Sequence, residues 1–184
     1  MARPVDAERR AELLRAVVET CATHGVGDRS LRDLAAAAGT SHRMLLHHFG
    51  SREGLLVAIV EEVEARQAAL AGSLDGPPAT VLETMWAHLS DPALRPFERL
   101  FFESYARGAN GEAPFDRLLP HAVDAWLEPE AVPGGAGDPA RTRLALAVVR
   151  GLLLDLAATG AHAETTAAMR RFIELVAHEP GSRS

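Results

Sequence analysis

Apolar residues recur along this chain at intervals of three and four from near its start to near its end, and no convincing two-residue alternation interrupts them. That periodicity predicts an all-α fold of about nine helices. Leu13, Leu14, Val17, Val18 and Cys21 mark a first helix, which Asp6 is placed to cap and which His24-Gly25 should end. The next stretch, SLRDLAAAAGTSHRMLLHHF from Ser30 to Phe49, reads as two short helices joined by a tight turn. Ser30 and Asp33 have the spacing of a capping box, Gly39 suits the left-handed residue after a helix, and Ser41 is the N-cap of the second helix. Leu34 points inward, and the run Ala35 to Ala38 leaves no bulk, so the second helix can cross closely, as in a helix-turn-helix. Within that helix Leu45 and Phe49 fall four apart on the buried side, leaving His42, Arg43, Met44 and His47 outward.

After Gly50-Ser51 a long helix to about Leu74 carries Leu55, Leu56, Ile59, Val60 and Val63, with Glu53 suiting the dipole of its first turn. It serves as a rigid connector between a head, residues 1–54, and a body, residues 55–184. Asp75-Gly76-Pro77-Pro78 is the clearest break and is read as a loop within the body. Helical patterns then follow at about 79–90, 93–108 and 114–128, a Gly- and Pro-rich connection spans Val132 to Pro139, and two last helices fall at about 140–158 and 163–178. Leu144, Val148, Leu152 and Leu156 stripe the first of these, with Val149, Leu153 and Leu154 widening the stripe nearly all round. Met169, Phe172, Ile173 and Val176 stripe the second. A helix apolar over most of its circumference needs cover on more than one side. These eight positions are therefore the candidate interface of a homodimer, the alternative being that they close the core of one chain.

Composition narrows the class. With 184 residues and 47% hydrophobic side chains the chain can bury a substantial core. No run is long and apolar enough for a membrane span, and MARPVDAERRAELL is a charged helix start rather than a signal peptide, so a cytoplasmic protein is expected. Cys21 is the single cysteine and lies in phase with the apolar face of its helix, which makes it a core residue rather than a redox or metal-binding one. The net charge of −6 is unevenly spread: residues 1–55 hold 8 Arg against 7 acidic residues, residues 56–184 hold 11 against 18. The head is the less acidic part, and this distribution matters more than the sum. Every basic residue is Arg.

The quoted segments resemble the TetR-type transcriptional regulators. The resemblance rests on the first helix ending in His24-Gly25-Val26, on LRDLAAAAGTS, on LLHHF and on SREGLL at the start of the connector, with RGLLLDLAATG a weaker match near the end. It implies a helix-turn-helix head on a helical ligand-binding and dimerisation body. It also implies that His42, Arg43, Met44 and His47 read bases and that Ser30, His48 and Arg52 contact phosphate, with Thr40 and Ser41 at the turn. Independently, Arg43 lies in the first turn of the second helix, where side chains reach the major-groove floor, and Arg to guanine is the commonest specific contact. Two positions depart from the family pattern. Arg43 stands where Gly is frequent, and Leu46 stands where Tyr is frequent, so Leu46 is limited to an apolar contact with a thymine methyl or none.

The resemblance further implies a cavity for a small organic effector. Candidate lining residues are Met85, Trp86, Phe97, Phe101, Tyr105, Leu119 and Trp126, with Leu118 beside them; helical spacing alone reads the same residues as core. The polar candidates are His88, Glu103, Tyr105, His121 and Asp155. Asp155 interrupts an apolar helix, where an unpaired carboxylate is costly, so either an Arg such as Arg150 or Arg99 satisfies it or it faces the ligand. His47-His48 offers no metal site by itself, because neighbours on a helix diverge by about 100° and no third donor stands at helical spacing. The chain shows no phosphate-cradling glycine loop, no HExxH and no Gly-x-Ser-x-Gly elbow, so neither an enzyme nor a cofactor is expected. The expected function is a homodimeric repressor released from a palindromic operator by a small molecule. The alternative is a small-molecule sensor or interaction module whose helix-turn-helix does not read DNA.

Overall fold

The structure, a computed structural model, describes residues 4–24, 29–118 and 138–178, and every regular element among them is helical. The elements are α1 (Pro4–His24), α2 (Leu31–Ala37), α3 (His42–Phe49), α4 (Arg52–Ser73), α5 (Pro78–Leu89), α6 (Arg95–Ala109), a 3-10 turn (Phe115–Arg117), α7 (Pro139–Thr159) and α8 (His162–His178). The expected bounds hold closely for most of them. Two differ. Asp6 sits inside the first turn of α1 rather than before it, and the pattern expected to form a helix over 114–128 starts as the 3-10 turn, its remainder lying outside the described residues.

Packing divides the chain into two compact units, Met1–Ala65 with Pro96–Pro120, and Arg66–Arg95 with His121–Ser184. In the first unit α2 packs on both α1 and α3. Its core joins Leu13, Leu14, Val17, Val18 and Cys21 to Leu31, Leu34, Ala35, Leu45 and Phe49, and continues through Leu55, Leu56, Ile59 and Val60 of α4. Cys21 is fully buried as the periodicity requires, and burial pushes its thiol up to about 11 despite an opposing influence from Arg29. Phe97, Leu100, Phe101, Phe115 and Leu118 are buried as well and belong to this same unit, although they follow the loop at Asp75–Pro78 in sequence. Arg107 closes that end, its guanidinium 3.8 Å from the Phe115 ring centre and paired with Glu112.

In the second unit α8 packs on both α5 and α7. The Trp86 indole donates to the Thr166 hydroxyl at 3.0 Å, and Arg141 donates to the Val176 carbonyl at 3.2 Å. Asp138 caps α7 by accepting from the Ala140 amide at 2.9 Å, with Pro139 in the first turn where its missing N–H costs nothing. Leu153 and Leu156 of α7 and Thr165, Met169 and Ile173 of α8 are buried. Leu144, Leu154 and Leu175 are not, at 59%, 50% and 55% exposure.

Candidate nucleic-acid interface

Local hydrogen bonding builds the turn between α2 and α3. At the start of α2 the Asp33 amide donates to the Ser30 hydroxyl at 3.2 Å and the Ser30 amide to the Asp33 carboxylate at 3.1 Å, the reciprocal box expected from the sequence. The Ser30 hydroxyl also donates to the Asp33 carboxylate at 2.6 Å, and that bond, followed by the one from the Ser30 amide, holds the Asp33 carboxyl below its ordinary range. At the end of α2 the Thr40 amide reaches back to Ala35 O at 2.9 Å and the Gly39 amide to Ala36 O at 3.2 Å. That pair is a Schellman motif, and it needs the φ of +65° that Gly39 supplies. Ser41 then caps α3, accepting from the Met44 amide at 3.2 Å.

Three devices fix α3 on its neighbours. Leu45 and Phe49 are buried, Arg10 of α1 stacks 4.9 Å above the Phe49 ring centre, and the chain reverses through Gly50 at φ +76°. Ser51 Oγ then accepts from the Gly54 amide at 3.0 Å to start α4. Across this junction Arg52 Nε donates to the Arg29 carbonyl at 2.9 Å, tying the head of α4 to the segment before α2.

With that inner side occupied, the outer side of α3 carries His42, Arg43, Leu46 and His47, all exposed, with Met44 half-buried at its edge. Spacings of one and four put these four side chains in a single patch. Thr40, half-buried, and the exposed Ser30 and Ser41 flank it through the turn. His48 departs from the outward placement that a phosphate contact needs. Its side chain is 4% exposed and turned toward α1, with Nδ1 3.5 Å from an Asp6 carboxylate oxygen. Arg52 is half-buried, and its Nε is committed to positioning rather than to the surface. Asp6 is the residue the sequence did not bring forward: it lies near both histidines only through the crossing of α1 over α3, for which no local pattern exists.

The residues proposed around an effector are spread over both compact units. Met85 and Trp86 lie buried in the second unit, where the Trp86 donor is already engaged by Thr166. Phe97, Phe101 and Tyr105 lie in the first unit, stacked along α6 with Phe101 and Tyr105 ring centres 5.6 Å apart. Leu119, His121 and Trp126 lie outside the described residues. His88 and Glu103 are exposed. Asp155 is exposed too, its carboxylate 3.3 Å from the Thr159 hydroxyl, so the burial that called for an Arg partner or a ligand is absent. Of the candidate interface positions, Leu156, Met169 and Ile173 are buried within the single chain, which makes them core of the second unit. Val148, Leu152, Phe172 and Val176 are half-buried, and Leu144 is exposed. The uncovered side of α7 runs instead through Leu144, Ala147, Gly151 and Leu154. Leu153 and Leu156 of α7 are buried in the unit where α7 packs on α8.

Two short capped helices crossing at a glycine turn, the second braced inside and polar outside, make the first unit a helix-turn-helix module of the class that binds nucleic acid. Comparison with known proteins agrees. Residues 13–59 match the profile of the bacterial regulatory proteins, tetR family. The chain is 39% identical over 87 residues to the HTH-type transcriptional regulatory protein RaaS of Mycobacterium tuberculosis, which covers 45% of this chain and 40% of that protein. It is 35% identical over 83 residues to the HTH-type transcriptional repressor AcnR of Corynebacterium glutamicum, covering 45% and 42%. The chain thus spans about two fifths of the length of these two relatives. A crystal structure of a transcriptional regulator from Rhodococcus sp. shares the fold over 91% of this chain and 95% of that one, at a TM-score of 0.69 and 21% identity. Over its helix-turn-helix segment the chain is similar to the TetR family of transcriptional regulators.

Proposed function

We propose that this protein is a dimeric, ligand-responsive repressor that reads a palindromic operator through α3. The observation that carries the reading is the sidedness of that helix: Leu45 and Phe49 are buried, while His42, Arg43, Leu46 and His47 share one exposed patch beginning at a capped N-terminus. A helix N-terminus presented this way puts Arg43 where it can pair with guanine O6 and N7, and lets Leu46 meet a thymine methyl. Ser30, Thr40 and Ser41 stand at the turn, placed for the phosphate contacts that set register. In a dimer the two α3 helices enter successive major grooves about 34 Å apart, and the operator repeats that two-fold symmetry.

Support for the dimer comes from α7 and α8. Leu144, Leu154 and Leu175 leave an apolar face uncovered in one chain, and Ala147 and Gly151 between the leucines of α7 let a second helix approach closely. Covering such leucines is worth about 25 cal/mol for each Å² of apolar surface removed from water. A small organic effector is inferred from the aromatic residues of α5 and α6 together with the family resemblance. It acts by binding the state that does not hold DNA more tightly than the state that does. The protein regulates rather than catalyses, and works in the cytoplasm; no described helix is long and apolar enough to cross a membrane.

A DNA selection with purified protein, at low and physiological salt, tests the reading. An enriched palindrome with half-sites about one helical turn apart is expected. Enrichment of no sequence at either salt overturns it and leaves a sensor whose helix-turn-helix does not read DNA.

A further inference from the structure

We propose that Asp6, His47 and His48 form a binding site for a divalent transition metal, zinc or a metal of similar ligand preference, which bridges α1 to the last turn of α3. The sequence offers only two adjacent histidines; the fold brings the third donor from another helix. One ligand atom from each of the three residues lies within 4.8 Å of the other two. A single Asp6 oxygen is 3.5 Å from His48 Nδ1 and 3.9 Å from His47 Nε2. Tetrahedral ligands about 2.0–2.1 Å from a zinc ion stand roughly 3.4 Å from one another. The two separations from the Asp6 oxygen are therefore within about half an ångström of what coordination requires, and the two imidazoles, within 4.8 Å of each other, must draw together on binding. The side chains that must close the gap are the mobile ones, since His47 is 65% exposed and Asp6 48%.

The second observation concerns His48. Its imidazole is 4% exposed and Nε2 has no hydrogen-bond partner, so the ring is buried without the usual satisfaction of both nitrogens. Its remaining nitrogen is aimed at the Asp6 carboxylate, at a distance longer than a good hydrogen bond. A cation between the two would replace that long contact with a bond from Nδ1 to the ion, at a position from which His47 can also be reached. Two imidazoles and one carboxylate favour zinc, nickel or cobalt over magnesium or calcium, which take oxygen ligands. Three protein donors leave a fourth position open to water. The proposal concerns the head alone and does not depend on the DNA-binding reading.

The test uses the full-length protein freed of metal by chelation. Cobalt is titrated in and followed by its visible absorption, zinc by competition with a chromophoric chelator, and each titration is repeated with His47→Ala, Asp6→Asn and His42→Ala. The expected result is one ion per chain, with affinity reduced at least about tenfold in His47→Ala and Asp6→Asn and unchanged in His42→Ala. Zinc should raise the unfolding midpoint of the parent protein and of His42→Ala, and leave that of the other two variants where it was. All three substituted side chains are exposed, so the variants fold. Absence of stoichiometric binding, or equal affinity in the parent, His47→Ala and Asp6→Asn, overturns the proposal.

Discussion

Replacing Gly54 by Ala sets two physical effects against each other. Gly54 lies in the first turn of α4, where a glycine-to-alanine change ordinarily stabilises by up to about 1 kcal/mol through helix propensity. Here a Cβ at Gly54 would fall on the backbone carbonyl oxygen of Phe49, the last residue of α3, inside any allowed contact distance. That oxygen also accepts from the Ser51 amide at 2.9 Å, and the Gly54 amide is held by Ser51 Oγ at 3.0 Å. Relief therefore requires moving backbone on the order of 1 Å, because no flexible side chain can yield. Overpacking of this kind costs about 1–3 kcal/mol, and a weakened Ser51 bond about 1 kcal/mol more. Subtracting the propensity gain leaves Gly54→Ala destabilised by about 1–3 kcal/mol. Urea unfolding followed by far-ultraviolet circular dichroism measures it, with an unchanged slope confirming that the midpoint shift is a stability change. DNA affinity should fall as well, because the end of α3 moves with the displaced carbonyl. A variant as stable as the parent, or more so, would refute the claim that the close approach of α3 to α4 sets this position.

Arg43→Ala should weaken operator binding by about 1–3 kcal/mol and relax preference at one base position in each half-site, read by repeating the selection with the variant; uniform weakening on all sequences would assign Arg43 to phosphate instead. Leu154→Glu puts a charge on a side chain already 50% exposed, so the chain should keep its helical content while light scattering reports monomers; a variant that stays dimeric would place the interface elsewhere. Cys21 should resist alkylation in the folded protein at neutral pH and react at once in urea, because burial is the main influence that raises its thiol to about 11. The folded-state value lies above that of the unfolded thiol, about 8.5, so this residue's contribution to stability is complete below pH ~8.5. It is lost as pH rises toward about 11, which unfolding midpoints across that range will show.

Helices and caps were legible because their causes are local. The Ser30–Asp33 box, the Gly39 turn, the Ser41 cap and the Gly50-Ser51 restart depend on residues within a few positions of one another, and each stands where the pattern placed it. The outward side of α3 was legible for the same reason: once Leu45 and Phe49 face in, His42, Arg43 and His47 have only one direction left. Family resemblance added roles for those residues, and the profile match over 13–59 covers the same segment.

Tertiary packing decided what periodicity leaves open, namely which of several apolar faces is covered and by what. On α7 an apolar stripe nearly all round fits more than one orientation, and only the crossing with α8 turned Leu153 and Leu156 inward and Leu144 and Leu154 out. Asp155 reads in sequence as a charge trapped among leucines, yet the same rotation leaves it exposed beside Thr159. The aromatic residues of α5 and α6 share one pattern along the chain, but packing assigns them to different compact units. His48 and Asp6 are the sharpest case. A helix position marked for phosphate turns its imidazole into the head, toward a carboxylate that the sequence shows only as part of a helix start. Burial and proximity between distant segments are properties of the whole packing arrangement, so these features emerge only when the helices are in place.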